Sequence, residues 1–357
     1  MKNRRRMKVP RLSTLRRFAA DPLLPTAHAM TEDQRDHPVV ALIRCRREQG
    51  SLPGARDDGR RVALVIEGGG MRGVVSAGMT AAIEQLGFTN CFDEVHGASA
   101  GAFNAAFLLA EQASYLTGLY QHGFGNPTFV SVRRVLRGQS LFNMDYVVNE
   151  VWRTQRPLRT ERILASGIEL HCTATDVETA EIIDLTDLRD DTEIRTAMLA
   201  SARLPWLSGA PVPFRGRMLF DATLAESVPV HVARQTATDM LVLQTRPHGI
   251  THTPLSSSIA NLTDRYLVKF NPALVELRRT RSARYDALIG ELGRQAADPQ
   301  AAPRVGVIRP PAGSPMIGQM ENRASAMSAA AGHGFRAAWM ALEGSDPELV
   351  SVPRAFH

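Results

Sequence analysis

Residues 61–73 read R-V-A-L-V-I-E-G-G-G-M-R-G, and the rest of the chain is organised around this stretch. Its apolar, β-branched run at 62–66 is typical of a buried strand. The strand leads into Gly68-Gly69-Gly70, where the backbone can turn sharply because no Cβ obstructs it. Residues 71–86 are predicted to form a helix that ends at Gly87. The stretch therefore predicts a strand, a glycine turn and a helix.

A second strand and turn follow at residues 92–101, which read F-D-E-V-H-G-A-S-A-G. The last five residues match G-x-S-x-G, the nucleophile elbow, in which a serine occupies a strained turn between a strand and a helix. The helix that follows would direct its N–H groups towards developing negative charge. Ser99 is therefore the candidate nucleophile, and Gly97 and Gly101 are the glycines of the elbow.

The two motifs together resemble those of the patatin-like phospholipases, over roughly residues 62–230. In that family the serine attacks an ester carbonyl, and a downstream aspartate replaces the histidine of a triad. The resemblance implies a catalytic Ser99–Asp221 dyad, with Asp221-Ala222-Thr223 in the place of the family's Asp-Gly-Gly or Asp-Gly-Ala. It also implies an oxyanion hole formed by Gly68, Gly69, Gly70, Arg72, Gly73 and Ala100.

The third motif departs from the family pattern at two residues. Ala222 stands where glycine is usual, and Thr223 stands where glycine or alanine is expected. If φ were positive at residue 222, alanine would be strained by about 1 kcal/mol or more. Asp176, at the end of a predicted strand, is the alternative acid.

The activity that the resemblance implies is lipid acyl hydrolysis. Ser99 would attack the carboxylic ester of a glycerolipid, and Asp221 would take its proton and later activate water. A carboxylate with a pKa near 4 is a weak base, so burial would have to raise the pKa of Asp221. No metal-binding or cofactor motif is present in the sequence, and we expect no cofactor and no metal.

Three alternatives remain open. Residues 68–73 also form a G-x-G-x-x-G, but no acidic residue ends the second strand as a dinucleotide-binding unit requires. A Ser-His-Asp hydrolase would recruit His231, His248 or His252, whereas His96 beside the elbow is expected to be a packed or surface residue. A degenerate lipid-binding protein would retain the fold without activity.

The charge distribution separates a basic tail from a nearly neutral body. The net charge is +6, but residues 1–17 contain eight basic and no acidic residues, so the rest of the chain carries −2. Such a tail predicts either a solvated extension or peripheral contact with an anionic membrane. It lacks the interleaved aromatics of a nucleic-acid-binding segment, so no nucleic acid partner is expected. Three widely spaced cysteines, Cys45, Cys91 and Cys172, favour a cytoplasmic protein over a disulfide framework or zinc site.

Strands alternate with helices along residues 61–357, which predicts one α/β domain after an N-terminal extension at 1–60. We expect a three-layer sandwich with a mostly parallel central sheet, helices on both faces and helical additions near 256–295 and 322–342. Residues 100–120 are predicted to form one helix. The last helix is predicted to be interrupted at Gly332 and Gly334.

Overall fold

The computed structural model describes residues 37–122, 128–135, 137, 139–155, 157–247, 257–298 and 300–347. The basic residues 1–17, His248 and His252 lie outside this part of the chain. The helices are α1 (Pro38–Glu48), α2 (Gly73–Gln85), α3 (Ala100–Leu109), α4 (Ala113–His122), α5 (Val132–Val135), α6 (Met144–Tyr146), α7 (Thr160–Ala165), α8 (Asp191–Ser201), α9 (Val230–Ala233), α10 (Ser257–Leu267), α11 (Pro272–Ala296) and α12 (Ala324–Glu343). A π-helix continues α6 over Val147–Gln155, and short 3₁₀ turns occupy Gly70–Arg72, Thr89–Cys91 and Ala222–Leu224.

The strands form one sheet with the order β5-β6-β3-β2-β1-β7-β8, and β4 also pairs with β3. They are β1 (Val62–Ile66), β2 (Glu94–Ala98), β3 (Glu169–Asp176), β4 (Ile182–Leu185), β5 (Val212–Phe214), β6 (Arg217–Asp221), β7 (Asp239–Leu243) and β8 (Arg304–Ile308). Strands β3, β2, β1, β7 and β8 are parallel, whereas β4, β5 and β6 pair in antiparallel fashion. The prediction of a mostly parallel sheet is therefore confirmed.

Both faces of the sheet are covered by helices. Every residue of β1 is buried, because successive side chains of a strand point to opposite faces and both faces are packed. Leu64 and Ile66 belong to the larger apolar cluster, which includes residues of α1, α2, α3 and α12. Ala63 and Val65 belong to a second cluster with residues of α9 and α11. The observed architecture is the predicted α/β arrangement with helices on both faces.

For two helices the sequence predicted the wrong continuity. The single helix expected over residues 100–120 is divided into α3 and α4, and Glu111 between them has a φ of 55°. The last helix, α12, is continuous through Gly332 and Gly334. A Cβ on Gly334 would lie 1.9 Å from the carbonyl oxygen of Val75, so this glycine allows α12 to pack closely against α2.

The register of β3 brings together the ends of two other strands. Thr173 pairs with Ala98, the last residue of β2, and the next residue, Ala174, pairs with Asp221, the last residue of β6. Residue 99 and residue 221 therefore meet at the carboxyl end of the parallel strands, where open α/β sheets place their sites.

Residues before β1 also contribute to the core. Val39 and Ile43 of α1 are fully buried in the larger apolar cluster. Arg46 is also buried, and it donates hydrogen bonds to Asp58 and Asp93. None of the helices in the described residues has both the length and the apolar character that a membrane span requires.

Candidate active site

Ser99 lies on a strained turn between β2 and α3. Its φ of 54° and ψ of −121° fall in a region that non-glycine residues rarely adopt. A Cβ on Gly97 would lie 2.4 Å from the carbonyl oxygen of Gly101, and a Cβ on Gly101 would lie 2.3 Å from that of Ile66. Both flanking positions therefore require glycine, as the nucleophile-elbow motif predicts.

The hydroxyl of Ser99 donates a hydrogen bond to Asp221, with 2.8 Å between Oγ and Oδ2. Asp221 is fully buried and Ser99 is 6% exposed. The second carboxylate oxygen of Asp221, Oδ1, accepts hydrogen bonds from the N–H of Thr223 at 2.7 Å and from its hydroxyl at 2.6 Å. The carboxylate is thus held from one side while its other oxygen contacts the serine.

Burial raises the pKa of Asp221 above its usual value, although the hydrogen bonds from Thr223 and Ser99 and the charge of Arg281 oppose this shift. A higher pKa makes the carboxylate a stronger base. The direction of the shift is the one that a base acting on a serine hydroxyl requires.

Ala222 is accommodated without the strain that a positive φ would cause. Positive φ values occur at Ser99 and at five other described residues that are not glycine, and Ala222 is not among them. It begins the short 3₁₀ turn Ala222–Leu224, which Asp221 caps through the N–H of Thr223. Ala222 and Thr223 therefore leave the carboxylate in contact with Ser99.

The predicted oxyanion-hole residues lie around the start of α2 and α3, but their N–H groups are not equally free. The N–H of Gly68 donates to the carbonyl oxygen of Ser227 at 2.9 Å, and that of Gly73 donates to Gly70. In the described part of the chain, no acceptor pairs with the N–H of Gly69, Gly70 or Ala100. The N–H groups of these three residues are therefore the candidates for an oxyanion hole.

Arg72 is a buried side chain, and it lies beneath the glycine turn. A Cβ on Gly69 would lie 2.7 Å from its Nη2, so the absence of a side chain at that position makes room for the guanidinium. The Nε of Arg72 donates to the hydroxyl of Thr245 at 2.9 Å, and Nη2 lies 3.6 Å from Glu67. The charge of Arg72 is therefore compensated by a buried acid next to the turn.

The candidates for a Ser-His-Asp triad are not joined to the dyad in the described structure. His231 contacts Glu226, with 2.8 Å between Nδ1 and Oε1, and its side chain is 65% exposed. His96 is buried beside Glu94 on the strand, as a packed histidine would be. The other two candidates, residues 248 and 252, lie outside the described residues.

Asp176, the alternative acid, has other partners. Its carboxylate accepts hydrogen bonds from Arg217 at 2.8 Å and from the N–H groups of Glu178 and Thr179. These contacts lower its pKa, although burial acts in the opposite direction. Asp176 therefore takes part in a turn and an ion pair, and it makes no hydrogen bond to Ser99 in the described structure.

Two residues of the site were missed from the sequence. The hydroxyl oxygen of Ser201, at the end of α8, accepts the backbone N–H of Ser99 at 2.8 Å and so supports the elbow. The buried Glu67 accepts hydrogen bonds from the N–H of Thr245 and from the hydroxyl of Tyr285. Nothing in the spacing of the motifs marks these contacts, because they join residues that are far apart in the chain.

Comparison with known proteins supports the assignment of the motifs. Residues 64–234 match the model of the patatin-like phospholipase family, which confirms the resemblance for this segment of slightly less than half of the chain.

The similar proteins include the uncharacterized protein YjjU of Escherichia coli (strain K12). It is 29% identical over 199 residues, which are 54% of this chain and 54% of YjjU. The chain thus spans about half the length of the curated relative that it matches. Among solved structures, VipD from Legionella pneumophila aligns over 80% of this chain and 67% of its own, with 12% identity and a TM-score of 0.39.

Proposed function

We propose that this protein is a lipid acyl hydrolase that cleaves carboxylic esters through a Ser99–Asp221 dyad. The observation that carries the proposal is the 2.8 Å hydrogen bond from the Ser99 hydroxyl to the buried Asp221 carboxylate. The family match over residues 64–234 supports the substrate class, which is a glycerolipid or a related acyl ester.

In the first half of the reaction, Asp221 removes the proton from Ser99 as Oγ attacks the ester carbonyl. The resulting oxyanion would be stabilised by the N–H groups of Gly69, Gly70 and Ala100, which have no acceptor in the described structure. Ala100 is the first residue of α3, so the positive end of the helix dipole also faces the developing charge. Asp221 then gives the proton to the leaving oxygen, so the alcohol departs, an acyl group remains on Ser99 and the carboxylate is ionised again.

In the second half, Asp221 takes a proton from a water molecule that attacks the acyl carbon. The bond from that carbon to Ser99 Oγ breaks, Asp221 returns the proton to Oγ, and the carboxylic acid is released. The same carboxylate acts in both halves because no described histidine contacts Ser99 or Asp221. Thr223 holds the carboxylate by two hydrogen bonds throughout, so the base stays oriented towards Oγ.

Arginine side chains near the dyad favour a substrate with an anionic group. Arg281 interacts electrostatically with Asp221 and with its neighbours Arg72 and Arg246. In the described structure, the Nε atoms of Arg246 and Arg281 are buried without a hydrogen-bond partner. A phosphate-bearing lipid would supply acceptors for such donors. We therefore expect phospholipids to be preferred to neutral glycerides, and Arg281→Gln to reduce that preference.

The test is hydrolysis of a chromogenic acyl ester and of a phospholipid by the wild type, Ser99→Ala and Asp221→Asn. We expect both substitutions to reduce kcat by about 10³-fold or more, because each removes one of two groups that act together. Asp176→Asn is the matched control and is expected to retain activity. Loss of activity in Asp176→Asn with retention in Asp221→Asn would overturn the proposed base. A folded wild type that cleaves no ester would instead favour a lipid-binding protein.

A further inference from the structure

A group of histidine and acidic side chains lies on one face of β2 and β3, apart from the dyad. Glu94 and His96 are two residues apart on β2, so both point to the same face of the sheet. In the parallel register, Glu94 pairs with Glu169 and His96 pairs with His171. The four side chains therefore form a two-by-two array on neighbouring strands.

The potential ligand atoms of Glu94, His96 and His171 all lie within 4.8 Å of one another. His96 Nε2 is 3.2 Å from a carboxylate oxygen of Glu94, and the two imidazole rings stack with centroids 4.1 Å apart. Nitrogen ligands of a tetrahedral zinc ion are about 3.3 Å apart, because each lies about 2.0 Å from the metal. Separations of up to 4.8 Å are larger than this spacing, so the side chains would have to move towards one another to share one ion.

Three of the four ring nitrogens in this group are buried without a well-aligned hydrogen bond to any described residue. His96 is fully buried and His171 is 4% exposed. In the described structure, no well-aligned hydrogen bond reaches either nitrogen of His96 or Nε2 of His171, although His96 Nε2 lies 3.2 Å from Glu94 and His171 Nε2 lies 3.4 Å from Glu169. A buried polar atom without a well-aligned hydrogen bond destabilises the fold, and coordination of a cation would offset that cost.

The surroundings orient these side chains in the way that metal ligands are usually held. Nδ1 of His171 lies 2.8 Å from Asp184, so the proton on that nitrogen is directed to a carboxylate, and Nε2, which lies 3.4 Å from Glu169, is the candidate ligand atom. Glu94 is fixed by Arg61 at 2.7 Å and by the hydroxyl of Thr236 at 2.8 Å.

The local charge favours a divalent cation. Three carboxylates, of Glu94, Glu169 and Asp184, surround the two rings, and Arg61 is the cation that binds two of them. With neutral imidazoles this leaves a net charge of two negative units, which one divalent ion would balance. Glu169 is about half exposed, so the group lies close to solvent at the amino end of the strands.

We propose that Glu94, His96 and His171 form a binding site for one divalent transition-metal ion of the zinc type. Two imidazoles and one carboxylate are a ligand set that zinc and cobalt accept. The site would join β2 to β3 at the amino end of the strands, opposite the end where Ser99 lies, and it does not depend on the proposed hydrolase activity. It uses no cysteine, which is why the cysteine spacing in the sequence gives no sign of it.

The experiment uses the untagged full chain, stripped of metal with a chelator and titrated with Zn²⁺ by calorimetry and with Co²⁺ by visible absorption. We expect one ion per chain and a rise in the thermal unfolding temperature on binding. His96→Ala and His171→Ala should weaken binding by about a hundredfold or more. His231→Ala is the matched control, because His231 also contacts a glutamate but has no third ligand in the described chain. His231→Ala and Ser99→Ala should both bind the metal with the affinity of the wild type.

Two results would overturn the site: a metal-free wild type that binds neither ion, or binding that persists in both His96→Ala and His171→Ala. If those variants do not fold, the wild type is labelled with ¹⁵N and its histidine ring nitrogens are followed by NMR during the zinc titration. The site is supported if zinc changes the chemical shifts of two histidines in the wild type and the same changes occur in His231→Ala. Binding that leaves all ring nitrogens unshifted contradicts it.

Discussion

Ser99 adopts a backbone conformation that a serine accepts only when its surroundings impose it. Such strain costs about 1–3 kcal/mol and is typical of active sites. Here the close contacts at Gly97 and Gly101 and the hydrogen bond from the Ser99 N–H to Ser201 hold the turn. The strain directs the hydroxyl towards Asp221, which the short turn after β6 keeps in place through Thr223.

Thr223→Val should shift the pH dependence of catalysis. The threonine hydroxyl donates to the Asp221 carboxylate at 2.6 Å, and this contact lowers the pKa that burial raises. Valine has the same shape but cannot donate, so the pKa of Asp221 should rise further. Because the base must be ionised, the acidic limb of the kcat/KM profile should move to higher pH by about one unit.

The matched control for that measurement is Thr175→Val. The Thr175 hydroxyl also bonds to Asp221, but it donates to the backbone carbonyl at 2.9 Å and not to the carboxylate. We expect this variant to lose stability while its acidic limb stays in place. A limb that does not move in Thr223→Val, or that moves equally in both variants, would contradict the role of Thr223.

The Ser99 turn was predictable because a strand precedes the G-x-S-x-G motif and a helix follows it, whereas the motif alone is common. The consequence of Ala222 was not predictable from the sequence. The expected strain depended on a positive φ, and the structure has a 3₁₀ turn there instead. The contacts of Ser201 and Glu67 depend on tertiary packing, which no local pattern encodes.

At the scale of elements, the packing of α2 against α12 depends on glycines within both helices. A Cβ on Gly78 would lie 2.0 Å from the carbonyl oxygen of Ala331, and one on Gly334 would lie 1.9 Å from that of Val75. Both neighbours are backbone atoms, so neither can yield by rotating a side chain. α2 begins directly after the glycine turn, and its position therefore affects the site.

Gly334→Ala should destabilise the protein, although alanine is the better helix former. We expect a loss of about 1–3 kcal/mol in the free energy of unfolding, since the added methyl group forces the helices apart. The control is Gly290→Ala in α11, where the nearest atom to a new Cβ is the flexible end of Arg294 at 3.6 Å. That substitution should stabilise by about 0.5–1 kcal/mol. Equal effects on chemical denaturation in the two variants would contradict the packing argument.

The sequence predicted the order of strands and helices well, because hydrophobic runs and glycine or proline punctuation mark them locally. It failed at Gly332 and Gly334, which resemble interruptions but occur in a continuous helix. A glycine that breaks a helix and one that permits close packing have the same local signature. Only the neighbouring helix distinguishes them.

At the scale of the whole molecule, the two ends of the sheet have different roles. The carboxyl ends of β2 and β6 carry the proposed dyad, whereas the amino ends of the strands carry buried ion pairs. Asp239, at the start of β7, is fully buried and accepts hydrogen bonds from Arg60 at 2.7 Å and Arg304 at 2.5 Å. It therefore joins the segment before β1 to the start of β8.

These ion pairs predict how stability changes with pH. Burial would raise the pKa of Asp239, but hydrogen bonds from Arg60 and Arg304 outweigh it and the pKa is lowered. A lowered pKa stabilises the fold above the unfolded-state value near 4, and this stability is lost as the pH falls through the folded-state pKa. Asp239→Asn should cost about 3 kcal/mol at neutral pH and should make the loss of stability below pH 5 less steep.

Glu193→Gln is the control for the acid measurement, because Glu193 pairs with Arg215 at the surface. This substitution should cause no measurable change in the free energy of unfolding at neutral pH or in how steeply that free energy falls as the pH is lowered. If Asp239→Asn and wild type lose stability in parallel between pH 6 and pH 3, the buried ion pair is not the source of the acid sensitivity.

The most direct test of the central claim is detection of the acyl-enzyme. The wild type is mixed with a chromogenic acyl ester, quenched in acid during turnover and examined by mass spectrometry of the intact chain and of its peptides. We predict a mass increase of one acyl group on the peptide that contains Ser99, with no adduct in Ser99→Ala. An active wild type with no adduct, or with the acyl group on another residue, would contradict nucleophilic catalysis by Ser99.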